Sequence, residues 1–206
     1  MYQVMWAFYV FAFVCIISKI PYSEHIIPKK STAENGTGIK QYSLKITKYL
    51  CVGVPYSRSK LHHCKTVLRR NKPAVLNISI TVPEVLTYIW LTVKLHYKFQ
   101  TYQPLLIDLE KEACEYLAKH PFNPIDEYIY NIFAKTLPQV VSPCPHGNRT
   151  YTAMWWLQER YTPSSMPAGD YRLDVKFFGW NNITLFYLEV YFSARRKGII
   201  GSMIEW

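Results

Sequence analysis

The sequence predicts an all-β sandwich of about eight strands with one or two inserted helices. Three observations predict it. Apolar and polar residues alternate at period two through several long segments, and Gly, Pro and Asn punctuate the chain between them. A single stretch switches to helical spacing. Apolar residues make up 50% of the 206-residue chain and charged ones 18%, which excludes a disordered chain.

The chain opens on an uncharged stretch, residues 1–18, whose positions 4–17 are continuously apolar, and the first basic residue is Lys19. That run has the length of a signal-peptide core and falls short of the roughly 20 residues a spanning helix needs. Cleavage after Ser18 would leave a small residue at the scissile position. No Lys or Arg precedes the apolar run, so an uncleaved signal anchor stays open as the alternative. Either way the folded part enters the secretory pathway, secreted or membrane-tethered, and nucleic acid drops out as a partner. Residues 19–40 read as a flexible leader, 41–196 as the domain, and 197–206 as a short tail.

Short strands are expected at 43–51 and 61–70. Leu76, Ile78, Ile80 and Val82 then alternate with Asn77, Ser79 and Thr81. Ile89, Leu91, Val93, Leu95, Tyr97 and Phe99 alternate with Trp90, Thr92, Lys94, His96 and Lys98. Further short strands fit 102–109 and 149–157. Tyr171, Leu173, Val175 and Phe177 oppose Arg172, Asp174 and Lys176, and Phe186, Leu188, Val190 and Phe192 form one face of a closing strand. Gly179 to Asn182 between the last two is a hairpin turn by its Gly and Asn content. The helical stretch has Asn123 as N-cap, Pro124 at the first position and Asp126 and Glu127 in the first turn. Ile125, Ile129, Ile132, Phe133 and Leu137 hold one face, and Pro138 ends it. A shorter helix fits 112–119. The stripe is expected to plug one end or edge of the sandwich.

Cys15 lies inside the signal core, which leaves Cys51, Cys64, Cys114 and Cys144, an even number that suits an oxidising compartment. Of the three pairings, Cys51–Cys64 would link two neighbouring strands and Cys114–Cys144 would close a loop around a helix. Sequons begin at Asn35, Asn77, Asn148 and Asn182, and four in a secreted chain predict glycosylation.

Catalysis finds little support. No nucleotide-binding glycine motif, H-E-x-x-H, C-x-x-C or G-x-S-x-G occurs. His62, His63, His96, His120 and His146 could in principle act as bases or ligands, but His62 and His63 should point oppositely on a strand and His96 falls on a polar face. Asp108 and Glu110 share a strand face, as carboxylates on exposed strands often do. No catalytic residue, metal ligand or cofactor is assigned.

The order of motifs then becomes distinctive. A cysteine near the first strand is followed by Cys64 leading into Lys-Thr-Val-Leu-Arg-Arg. Tyr102-Gln-Pro-Leu-Leu, a strand ending at Cys114 and an amphipathic helix come next, then Ser142-Pro-Cys-Pro-His-Gly147 and Met166-Pro-Ala-Gly-Asp-Tyr171. This resembles a divergent insect family of secreted proteins of unknown function, related to the MD-2-related lipid-recognition proteins. The resemblance spans about residues 42–196. It implies an immunoglobulin-like β-sandwich whose two sheets part to admit lipid, with some relatives chemosensory. Read physically, both motifs are structural: Gly169 permits positive φ at a tight turn, and Tyr171 starts the inward face of a strand.

Strands of one phase share one face, so an internal cavity should be lined by Leu91, Leu95, Tyr97, Leu173, Phe177, Phe186, Leu188 and Phe192. Such rings can prop two sheets apart around roughly 300–1,000 Å³, or fill the space. Lys94, Lys98, Arg172 and Lys176 take the outer phase and should stay in water. In Met154-Trp-Trp-Leu157, Trp155 or Trp156 should sit exposed or at a pocket mouth. Two functions follow. One is a carrier or presenter of a small apolar ligand (lipid, sterol or hydrocarbon), in chemosensation with a membrane receptor as further partner. The other is a glycosylated interaction module with a filled core whose net charge of +10 suits a protein or anionic glycan.

Overall fold

The computed structural model describes residues 41–119 and 123–197. Eight strands form: β1 (Tyr42–Cys51), β2 (Lys60–Arg69), β3 (Lys72–Leu86), β4 (Trp90–Lys98), β5 (Tyr102–Glu112), β6 (His146–Trp155), β7 (Gly169–Phe178) and β8 (Thr184–Arg196). Helices α1 (Ala113–Lys119) and α2 (Pro124–Thr136) lie between β5 and β6. The signal segment, the leader, Cys15, Asn35 and His120 lie outside the described residues.

The strands pair antiparallel into a five-stranded sheet, β1-β8-β7-β4-β5, and a three-stranded sheet, β2-β3-β6. Register sets the inner face. Leu173 opposes Leu95 on one side and Val190 on the other, and Tyr171 opposes Tyr97 and Phe192. Period-two geometry therefore sends all of these rings inward together. Tyr171 is completely buried, its ring stacks on Phe192 at 5.3 Å, and its hydroxyl donates to the Pro167 carbonyl at 2.7 Å. Inner residues of both sheets, such as Ile46, Ile78, Leu95 and Leu188, share one core. This is the immunoglobulin-like sandwich expected.

The two sides of the sandwich close differently. On one, Cys51–Cys64 ties β1 to β2 and so one sheet to the other. There Thr66 Oγ1 also accepts from the Tyr49 amide at 3.0 Å and donates to the Tyr49 carbonyl at 3.2 Å. On the other side β5 and β6 are sheet edges, and the helices supply the cover. Asn123 Oδ1 accepts from the Asp126 amide at 2.8 Å, so the N-cap is as the sequence predicts. Lys111 Nζ of β5 pairs with Asp126 Oδ2 at 3.2 Å. Cys114–Cys144 ties α1 to the segment before β6, and Gln139 Nε2 donates to the Thr152 carbonyl of β6 at 2.9 Å. Ile125 does not join the buried stripe. Asp126 turns inward in that first turn to meet Lys111, and Ile125 is left half exposed.

Other local expectations are revised by backbone detail. At Gly179–Asn182 the left-handed positions are Asn181 (φ 58°) and Asn182 (φ 56°), while Gly179 is extended. Asn tolerates that region because its short side chain bonds locally. A bulge between Leu61 and His63 interrupts alternation. His62 and His63 consequently do not point oppositely: His62 Nε2 is hydrogen-bonded to Thr81 Oγ1 at 2.7 Å, His63 Nε2 donates to Asn77 Oδ1 at 3.0 Å, and Thr81 and Asn77 share the outer face of β3. Phe99 lies past the end of β4 and is exposed.

Candidate functional site

The space between the sheets holds an apolar cavity of about 240 Å³. Its walls follow from the inner phase of five strands. Leu76, Ile78, Ile80 and Val82 of β3 and Tyr151, Ala153 and Trp155 of β6 form one wall. Leu95 of β4, Leu173, Val175 and Phe177 of β7, and Phe186, Leu188 and Phe192 of β8 form the other. Tyr128, Ile129, Ile132 and Phe133 of α2 close the side left open by the sheet edges, and Leu157 and Met166 close one end. Exposed Pro163 also lies on the lining, so the cavity reaches the surface at the loop before β7.

Six of the eight residues expected at the cavity line it: Leu95, Leu173, Phe177, Phe186, Leu188 and Phe192. Leu91 instead faces a smaller space of about 30 Å³ against the helices, which Phe177 also borders. Tyr97 is at neither. Its ring lies where a side chain on residue 169 would be, 2.5 Å from a Cβ built there, and its hydroxyl donates to the Ala168 carbonyl at 2.9 Å. Gly169, at φ 154°, is thus required by this close approach as well as by its backbone angle. The volume falls below the expected 300–1,000 Å³ because α2 projects its stripe into the space between the sheets. Sequence periodicity identified that stripe as buried without showing that it would be cavity wall. Trp155 lines the cavity, whereas Trp156 is half-buried with the Arg69 guanidinium over its ring at 5.6 Å.

Polar side chains on the lining are largely engaged with protein partners. Tyr128 hydroxyl donates to the Tyr161 carbonyl, Thr162 Oγ1 to the Glu159 carbonyl at 2.7 Å, and the Gly147 amide to Tyr151 Oη at 2.9 Å. Burial pushes the Tyr128 phenol up to about 12 and keeps it neutral. His146, at the start of β6, is buried on the lining. Desolvation holds its pKa below the usual value, aided by the nearby Arg149 charge and opposed by a hydrogen bond to the Ser142 backbone. Among the described residues no cluster of three or more His, Cys, Asp or Glu side chains could hold a metal ion.

The outer face of the five-stranded sheet departs from expectation at Arg172, which is half-buried. Its guanidinium grips the Asp174 carboxylate in a two-pronged pair at 2.8 and 2.9 Å, beside buried Glu189 and His96. Tyr191 hydroxyl donates to Glu189 Oε2 at 2.5 Å, and burial pushes that phenol up to about 12. Lys98 is exposed, Lys94 pairs with Asp108 at 3.2 Å, and Lys176 lies 5.3 Å over the Phe178 ring. Of the sequon residues, Asn148 and Asn182 are exposed at positive φ, and Asn77 is half-buried in mid-strand.

Two sheets tied by a disulfide around an apolar cavity define a β-sandwich with room for a small hydrophobic guest. Both disulfides join the cysteines the sequence suggested and fit an oxidising compartment. Residues 91–173 match the family described as "Protein of unknown function (DUF1091)". That span holds both the Cys144–Gly147 and the Pro167–Tyr171 segments, so the resemblance read from the sequence is found there. No curated protein matches the chain. Among solved structures, a Niemann-Pick type C2 protein from Japanese carpenter ant is similar at 10% identity and a TM-score of 0.28, covering 72% of this chain and 89% of that one. Among the described residues no helix is long and apolar enough to cross a membrane.

Proposed function

We propose that this chain is a secreted, non-enzymatic binding protein that carries or presents a small apolar ligand between its sheets. The observation that carries the reading is the apolar cavity of about 240 Å³, walled by both sheets and α2. At roughly 30 Å³ per water it exceeds a one- or two-water gap by several-fold. Lipid, sterol and hydrocarbon guests all match the lining chemistry. The volume favours a chain of on the order of ten carbons. At about 0.8 kcal/mol per buried methylene this contributes roughly 8 kcal/mol before association costs, which places binding in the micromolar range or weaker. Presentation to a membrane receptor in chemosensation is the setting the resemblance suggests.

The test is organic extraction of the native protein followed by titration with a fluorescent fatty acid. Phe177→Asp places a charge on the lining and should abolish uptake, while Lys176→Glu, on the outer face, should leave it intact. Circular dichroism of both variants separates lost binding from lost folding, because a buried Asp also costs stability. A native protein that yields no lipid and takes up no apolar probe would end the carrier reading.

A further inference from the structure

Acidic residues avoid one sheet. The three-stranded sheet and its β2–β3 turn carry Lys60, Lys65, Arg69, Arg70 and Lys72, all exposed, while Arg149 of β6 takes the inner phase, its guanidinium over the Tyr151 ring and donating to the Gln139 carbonyl at 3.1 Å. Their single acid, Glu84, is engaged by Arg58. Every other acid among the described residues lies on the five-stranded sheet, the helices or the turn at Glu159. Those five cations make no ion pair among the described residues. Lys60 to Arg69 runs the whole of edge strand β2, about 30 Å of extended backbone.

Between the cations the outer face is polar and ordered. His62 is hydrogen-bonded to Thr81, and Thr81 to Thr150 of β6 at 2.7 Å, so a row of side chains crosses all three strands. His63 and Asn77 form a second row. Leu68, Val85 and Met154 are exposed on this sheet, one on each of its three strands. A face of this kind suits an extended polyanion whose charges meet lysine and arginine and whose hydroxyls meet imidazole, amide and threonine. An anionic bilayer would also attract these charges, but would leave the hydrogen-bonding rows unused and find no apolar cluster to insert.

We propose that the outer face of the three-stranded sheet binds an anionic polysaccharide, sulfated or uronate-bearing, along β2 and the β2–β3 turn. This site is separate from the cavity and does not rest on the carrier reading.

Heparin serves as the sulfated probe, alginate as the uronate probe and dextran as the neutral control, each titrated against the folded protein over a range of salt. Wild type should bind at least one anionic polymer and not dextran. Lys60→Gln/Lys65→Gln/Arg70→Gln should bind about tenfold more weakly, with a salt dependence shallower by about one ion per residue removed. Lys98→Gln/Lys135→Gln/Lys176→Gln removes the same net charge from the other face and α2, and should change affinity less than about twofold. Equal losses in the two triples would mean bulk charge and overturn the site. So would failure to bind either anionic polymer, or binding to phosphatidylserine vesicles without binding to the polymers. Asn77 opposes Lys65 across the strand pair, so secreted protein fully glycosylated there would have the face covered and would also overturn it.

Discussion

Ala153 of β6 lines the cavity and opposes Ile78 across the strand pair, which makes it the position from which to fill the space. Treated as enclosed and empty, 240 Å³ at roughly 24 cal/mol per Å³ costs about 6 kcal/mol. That is comparable with the whole stability of an ordinary domain. The opening near Pro163 lets water share the space, so the figure is an upper limit. Ala153→Phe adds about 100 Å³ of side chain and recovers at most about 2 kcal/mol, less up to about 1 for rotamer strain. In a domain of this size the net gain should raise Tm of the delipidated protein by about 2–8 °C. Uptake of a fluorescent fatty acid should fall at least about tenfold, since the ring occupies close to half the ligand space. Saturating ligand should raise Tm of wild type by more than that of the variant. Calorimetry with and without ligand reads both effects, and their opposite signs separate them from misfolding. A lower Tm with uptake unchanged would refute the reasoning, because it would mean that packed side chains already occupy the space at Ala153.

Gly169→Ala should destabilise by about 2 kcal/mol or more, because its methyl group meets the Tyr97 ring and its backbone keeps a positive φ. Gly53→Ala shares the positive φ but meets nothing within 4 Å, so urea unfolding should show about half that loss. His146 binds protons less readily folded than unfolded, so stability should rise with pH through the window just below its ordinary 6.5 and fall as acid is added. His146→Gln should flatten that slope, and an unchanged slope in thermal melts against pH would locate the dependence elsewhere. Non-reducing digestion should release Cys51–Cys64 and Cys114–Cys144 as separate linked peptides. Replacing the first pair with serine should cost about 3 kcal/mol.

Much of this architecture is legible in the sequence because its strands obey period two. Leu173, Val175 and Phe177 face the interior for the same reason that Arg172, Asp174 and Lys176 do not. The α2 cap is equally plain, since Asn123, Pro124 and Asp126 each satisfy a distinct need of a helix N-terminus. Alternation fails to specify what two facing elements do together. It assigns Tyr97 and Leu95 the same phase, yet Gly169 draws the Tyr97 ring to the strand end while Leu95 reaches the cavity. It assigns Arg172 to water, yet Asp174 and Glu189 on the same face draw it into a half-buried cluster. The reversed phase of one histidine at residues 62–63 depends on a bulge, which leaves no periodic trace.

The two closures of the sandwich differ in kind, and that difference bears on how a guest would enter. Between β1 and β2 the sheets are joined by a covalent bond and by paired hydrogen bonds through Thr66, all close to the core. Separating them would break several interactions at once and expose Ile46, Tyr49 and Ile78. Between β5 and β6 the cover is a helical segment held by the buried side chain of Ile129 and by polar contacts such as Lys111 to Asp126, Gln139 to Thr152 and Arg149 to the Gln139 carbonyl. A partly exposed ion pair contributes about 1 kcal/mol or less, and a hydrogen bond about as much. Cys114–Cys144 joins the residues just after β5 to those just before β6, so this side also has a covalent link, at one end, while α2 itself is uncrosslinked. The lining meets the surface at Pro163, in the loop before β7. Widening the cavity on this side would leave both sheets paired, and what opposes it is the burial of Ile129, the Cys114–Cys144 link and the hold of Arg149 of β6 on Gln139 and Ser142.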